Sequence, residues 1–173
     1  MPEWTDTKEI IARIQERHIS ESGKVLQKLL ALTFLRLGYG FCTERSIQGV
    51  DIDVVNRDTG ERHSFEVKTS TASAVSIATK DLAGLKAREE DGYETFFAVL
   101  CLPLCFSAGW IICPSGCLKV GQFNASRLIR KRDAALSERV NSLFPEVVEE
   151  IGPGILNCKP GTAMRYMREE HGI

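Results

Sequence analysis

Hydrophobic positions recur at helical spacing in two early segments. Residues 5–18 place Ile10, Ile11 and Ile14 on one side, which predicts a short amphipathic helix. Residues 21–37 are apolar nearly all round (Val25, Leu26, Leu29, Leu30, Leu32, Phe34, Leu35, Leu37). That pattern predicts a helix buried against a sheet, with Ser20 as its N-cap and Gly38 as its stop. The period then falls to two. Residues 39–46, 49–55 and 63–69 read as strands, the last two joined through an Asp58-Thr59-Gly60 turn. A helix over 77–90, starting near Thr79 and carrying Leu82, Leu85 and Ala87, is closed by Gly92. Continuous apolar runs at 95–102 and 109–113 predict buried strands, with Pro103 to Ala108 turning between them. Residues 124–144 read as a charged helix, Gly152-Pro153-Gly154 as a break, and 160–171 as a last short helix.

This order predicts an α/β sandwich, a mixed central sheet flanked by helices with a helical C-terminal segment. Residues 1–120 form the expected core, and residues 121–173 a helical extension of the same domain. At 173 residues the chain suffices for one real core. No export signal or run of apolar residues long enough to cross a membrane is visible, so an intracellular, cytoplasmic protein without a membrane partner is expected. Net charge is −1, from 22 basic and 23 acidic residues. Any nucleic-acid surface must therefore arise from uneven distribution of charge.

The chemistry concentrates in Gly49-Val50-Asp51-Ile52-Asp53-Val54-Val55 and Ser64-Phe65-Glu66-Val67-Lys68-Thr69. Residues two apart on a strand share a face, so Asp51 and Asp53 point one way, and Glu66 and Lys68 share a face of theirs. With Thr59 and Gly60 as the loop residues, the register sets Asp53 opposite Glu66 and Asp51 opposite Lys68. Two facing carboxylates among apolar neighbours repel each other and call for a counter-ion. A hard divalent cation such as Mg²⁺ suits oxygen ligands of this kind. An ammonium two residues beyond a metal ligand can activate water or neutralise charge on a phosphate. Without a metal, the same four residues make a solvated sheet face with cross-strand ion pairs.

The pattern Ile-Asp53-Val-Val, with thirteen positions from Asp53 to the glutamate of Glu66-Val-Lys68-Thr, resembles the PD-(D/E)XK nuclease superfamily. Within it the likeness is to archaeal Holliday-junction resolvases, with related likeness to Mrr-type endonucleases and the small resolvase-like bacterial proteins of the YraN type. It covers roughly residues 20–120. The resemblance implies a restriction-endonuclease-like fold and hydrolysis of DNA phosphodiesters, on branched DNA. It further implies Mg²⁺ (or Mn²⁺ as substitute) at Asp53 and Glu66, with Lys68 acting on the attacking water and Asp51 as an auxiliary acid. These families often carry a glutamate in the first core helix, four residues after a glycine and eleven before a Gly-aromatic pair. Here Gly23 and Gly38-Tyr39 stand in the flanking positions, and the residue is Gln27. A neutral amide can orient water or a ligand, but cannot supply the charge.

Candidate DNA contacts are Arg45, Lys80, Lys86 and the basic residues from Arg127 to Arg132, which otherwise are solvated helix residues. Symmetric cutting of two strands implies a homodimer. Cys101, Cys105, Cys113 and Cys117, spaced Cys-x₃-Cys-x₇-Cys-x₃-Cys, are a further candidate for zinc or an iron–sulfur cluster. The bland reading places Cys101 and Cys113 in strands as small buried residues. Two other functions fit the same residues. One is a nucleic-acid-binding protein of this fold with weak or lost activity, acting on DNA or RNA. The other is an accessory subunit built on a cysteine-bound metal.

Overall fold

The computed structural model describes residues 4–45, 50–102 and 108–173. Two helices, α1 (Thr5–Arg17) and α2 (Ser22–Arg36), precede three strands, β1 (Phe41–Glu44), β2 (Ile52–Val55) and β3 (Arg62–Ser70). Strand β4 (Ala74–Ile77) leads into α3 (Thr79–Glu90), then β5 (Glu94–Cys101), β6 (Ile111–Pro114) and β7 (Gly121–Asn124). Three helices close the chain, α4 (Ala125–Lys131), α5 (Ala134–Asn157) and α6 (Ala163–His171). Five strands form a mixed sheet in the order β1-β2-β3-β5-β6, in which only β3 and β5 run parallel. The expected sandwich with a mixed central sheet is therefore the observed fold.

Strand alternation builds two cores. Ile52, Val54, Phe65, Phe96, Ala98, Leu100 and Ile112 meet α1, α2 and α5 on one side of the sheet. Phe97, Val99, Cys101, Ile111 and Cys113 belong to a second core with Leu85 of α3, Leu128 of α4 and Val75, Ile77 and Phe123. The all-round apolar character of α2 follows from its place in the first core, where Val25, Leu26, Leu29, Leu30 and Phe34 are all buried. Helix α5 supplies Val140, Phe144, Val147, Val148, Ile151 and Ile155 to that core.

Several expectations are corrected. Ser20 does not cap α2, whose N-cap is Glu21; its side chain makes no capping bond and accepts instead from the Ala163 amide at 3.0 Å. The single helix over 124–144 is two, each with its own cap: the Asn124 side chain accepts from the Arg127 amide, and that of Asp133 from the Leu136 amide. Gly152-Pro153-Gly154 does not break the chain, because α5 runs through it with Pro145 and Pro153 inside. The packing explains why: a side chain at Gly152 would overlap Ile10 of α1, and one at Gly154 would overlap Tyr166 of α6. The glycines admit two neighbouring helices, and that contact offsets the local cost of proline. Strands β4 and β7 were not foreseen. They pair with each other as a separate two-stranded sheet, and each is only four residues long. Parts of the expected strands at 39–46 and 49–55, and most of the 103–108 turn, lie outside the described residues.

One buried side chain fixes the start of β6. Asn141 of α5 accepts from the Trp110 amide at 2.8 Å and donates to the carbonyls of Trp110 at 2.9 Å and Ala108 at 3.3 Å. Asn141→Ala leaves these backbone groups without their partner, at a cost of about 1–3 kcal/mol for each buried orphan. Urea unfolding of this variant should show a loss of about 3 kcal/mol; a loss below about 0.5 kcal/mol would mean that water replaces the amide.

Candidate active site

Strand β3 outlasts β2. Their pairing ends at Ile52 opposite Phe65, whereas β3 continues to Ser70 alongside β5. Asp51 sits at the point of divergence. Its amide donates to the Phe65 carbonyl, and its Oδ2 accepts from the Val67 amide at 2.8 Å. The N-terminal end of α2 closes on the gap, and a side chain at Gly23 would stand 3.3 Å from the Thr69 hydroxyl. An open cleft of about 580 Å³ results, lined by Lys24, Gln27, Asp51, Glu66, Lys68 and Ser70 among others.

The hairpin register differs from the expected one by two residues. Asp53 lies opposite Ser64, not Glu66, and Asp51, just beyond the last pair, is the aspartate whose charge acts on Glu66. The cause is the turn. The Asn56 amide pairs with the Glu61 carbonyl, so four residues rather than two make the loop. The Asn56 side chain accepts from the Asp58 and Thr59 amides, and Gly60 takes φ +76°. An even slip preserves the faces but exchanges the partners.

Asp53 is accordingly held apart from the cleft. Its side chain is 3 % exposed. Oδ1 accepts from the Ser64 hydroxyl at 2.6 Å, and Oδ2 accepts from Arg45 and Arg88, each at 2.9 Å. Arg88 also pairs with Asp91 and stacks over the Tyr93 ring. Arg45, expected on DNA, is thus engaged in an internal ion pair. Lys80, Lys86 and Arg127 are exposed helix residues.

Within the cleft, Glu66 is 12 % exposed and Lys68 is 21 % exposed, with 3.5 Å between Nζ and Oε1. Burial, then the neighbouring Asp51 charge, push the Glu66 carboxyl up to about 7 against the pull of Lys68. Lys68 donates most closely to Asp81 of α3, at 2.7 Å. Lys24, which the sequence reading passed over, lies 3.8 Å from Asp51 and donates to the Gln27 carbonyl oxygen at 3.2 Å. It stands three residues before Gln27 on α2, and that spacing was the available signal. The Gln27 amide nitrogen faces Glu44 of β1, whose other oxygen is bound to Lys28. Its carbonyl oxygen thus remains on the side of Lys24.

No group of three His, Cys, Asp or Glu side chains suited to a metal is present among the described residues. The cleft offers two carboxylates and an amide oxygen. That set fits Mg²⁺, which binds through one or two carboxylates and keeps several waters. Burial first, and the Asp51 charge second, raise the Glu66 carboxyl, the direction expected where two neighbouring carboxylates are short of positive charge. The four-cysteine site does not assemble. Cys113 pairs with Phe97, four residues along β5 from Cys101, a separation of roughly 13 Å. Cys113 instead donates to the Leu128 carbonyl, Cys117 is exposed, and Cys105 lies outside the described residues.

No family model and no curated protein matches this sequence. Among solved structures, the chain is similar to Hjc of Archaeoglobus fulgidus, a Holliday junction resolvase from an archaeal hyperthermophile. The TM-score is 0.54 at 15% identity, over 67% of this chain and 95% of that one. At that identity the likeness is one of fold. No helix among the described residues is long and apolar enough to cross a membrane.

Proposed function

We propose that this chain is a metal-dependent DNA endonuclease that hydrolyses phosphodiester bonds in branched DNA. The observation that carries the reading is the convergence of Asp51, Glu66 and Lys68 with Gln27 in one cleft, built where β2 and β3 part. Similarity of fold to a Holliday junction resolvase supports the substrate class.

In this reading Asp51 and Glu66 hold Mg²⁺ or Mn²⁺, and Asp53 is left to the fold. A cation held there would supply a water activated for attack and would polarise a phosphoryl oxygen. The Lys68 ammonium stands beside Glu66 to neutralise charge that builds on the phosphate. The Gln27 carbonyl oxygen, aimed by the Glu44 contact, accepts a hydrogen bond and so orients water in the cleft. Lys24, whose side chain is 59 % exposed, meets the DNA backbone at the rim. Lys80, Lys86 and Arg127 are proposed as further phosphate contacts. Two opposed cuts need two sites, which a pair of copies provides.

The test is cleavage of labelled single-stranded, duplex and four-way-junction DNA in Mg²⁺, Mn²⁺ and EDTA. Metal-dependent cutting of the junction is expected, and no cutting of any DNA sinks the catalytic reading. Gln27 favours one second reading, a DNA-binding protein of this fold with little turnover. Junction binding without cutting, unchanged by Lys68→Ala, is its signature.

A further inference from the structure

Asp81 is an unusual residue for its position. It sits in the first turn of α3 and is 1 % exposed. Its Oδ2 accepts from the Ala78 amide at 2.9 Å and from the Lys68 ammonium at 2.7 Å. Its Oδ1 is buried with no hydrogen-bond partner. Holding a helix N-terminus requires only a neutral acceptor, such as the side chain of Asn or Ser. A buried carboxylate costs far more than that role needs, unless a cation compensates it. Lys68 is the cation in contact.

From Lys68 the geometry has a consequence. Glu66 and Lys68 share a face of β3, and a lysine carries about 2 kcal/mol of rotamer entropy on its flexible stem. Left to itself, its ammonium would settle on Glu66, the carboxylate that the proposed cation needs. Instead Nζ lies 2.7 Å from Asp81 and 3.5 Å from Glu66. The balance of burial against the Lys68 and Ala78 hydrogen bonds keeps the Asp81 carboxyl below its ordinary value, so the anchor is ionised at neutral pH.

We propose that Asp81 is the positioning residue for Lys68: it draws the ammonium off Glu66 and fixes it at the edge of the cleft, where a phosphate arrives. This rests on the nuclease reading for its catalytic consequence, but the positioning itself is independent of turnover. Sequence alone did not reveal it, because twelve positions, a separate strand among them, lie between Lys68 and Asp81.

The experiment uses Asp81→Asn, which retains an acceptor for the Ala78 amide and removes the charge. Junction cleavage should fall about 10–100-fold in kcat, with KM within about twofold, as for loss of an outer partner of a catalytic group. In a Lys68→Ala background the same change should cost nothing more. Unaltered kcat in Asp81→Asn, or an additive loss in the Lys68→Ala background, overturns the proposal. A second measurement needs neither turnover nor a variant. In the parent protein labelled with ¹⁵N-lysine, the Lys68 Nζ signal should show slow proton exchange and restricted rotation. A Lys68 signal as mobile as those of surface lysines overturns the proposal. A parent that cuts no DNA but shows the ordered Lys68 signal removes the nuclease reading and leaves the positioning in place.

Discussion

Asp51→Asn should abolish metal-dependent cleavage with the fold intact, and Asp53→Asn should do the reverse. The two aspartates are two residues apart on one face and look equivalent in sequence. Their surroundings are opposite. Asp51 borders an open cleft and keeps Oδ1 only 3.8 Å from an exposed lysine. Its loss removes one of two carboxylates from the proposed metal position, which should lower activity by at least two to three powers of ten, on the order of 4 kcal/mol in barrier. Asp53 is the buried anion between two guanidiniums and a serine hydroxyl. Neutralising it leaves Arg45 and Arg88 sharing an amide, and Arg88 is only 12 % exposed. Breaking a buried pair by removing one partner costs about 3–5 kcal/mol. Because Arg45 is 29 % exposed and Arg88 keeps Asp91, we expect about 3 kcal/mol, read as a shift in urea midpoint. A stable, inactive Asp53→Asn beside a fully active Asp51→Asn would return the metal to Asp53 and refute the assignment.

The affinity for Mg²⁺ or Mn²⁺ should rise about tenfold per pH unit up to about pH 7 and level off above it. Below 7 the Glu66 carboxyl holds a proton that a cation must displace, and above 7 it does not. Titration by calorimetry between pH 5.5 and 8.5 checks this, and a flat profile overturns displacement of a Glu66 proton by the cation. The same group sets a stability dependence of definite sign. Its folded value, about 7, lies above the ordinary 4.5, so the folded chain retains a proton that the unfolded chain releases. That contribution is complete below pH 4.5 and is lost as pH rises through 7. Glu66→Gln escapes the loss. At pH 8 without metal it should be more stable than the parent by on the order of 2 kcal/mol, and nearly equal to it at pH 4. Gaining stability by removing a carboxylate would mark the residue as retained for chemistry rather than for the fold.

Residue periodicity is enough to set the alternation that buries Ile52, Val54 and Phe65, the all-round apolar α2, the shared face of Glu66 and Lys68, and the gathering of carboxylates on the neighbouring strand. These depend on periods of 2 and 3.6, which are local geometry. Which aspartate acts on Glu66 depends on the hairpin register, which periodicity does not contain. The choice rests on whether two residues or four make the loop at Asn56–Glu61, and both loops preserve the alternation. The tertiary structure also decides what pairs with Lys68, since Asp81 arrives on a different element by way of the β4–α3 connection. The continuity of α5 through Gly152-Pro153-Gly154 belongs with these, because the breakers are offset by helices brought from both ends of the chain. Local rules fix the faces of elements, whereas register, counter-ions and the tolerance of a proline are set by partners distant in sequence, whose contributions no local window contains.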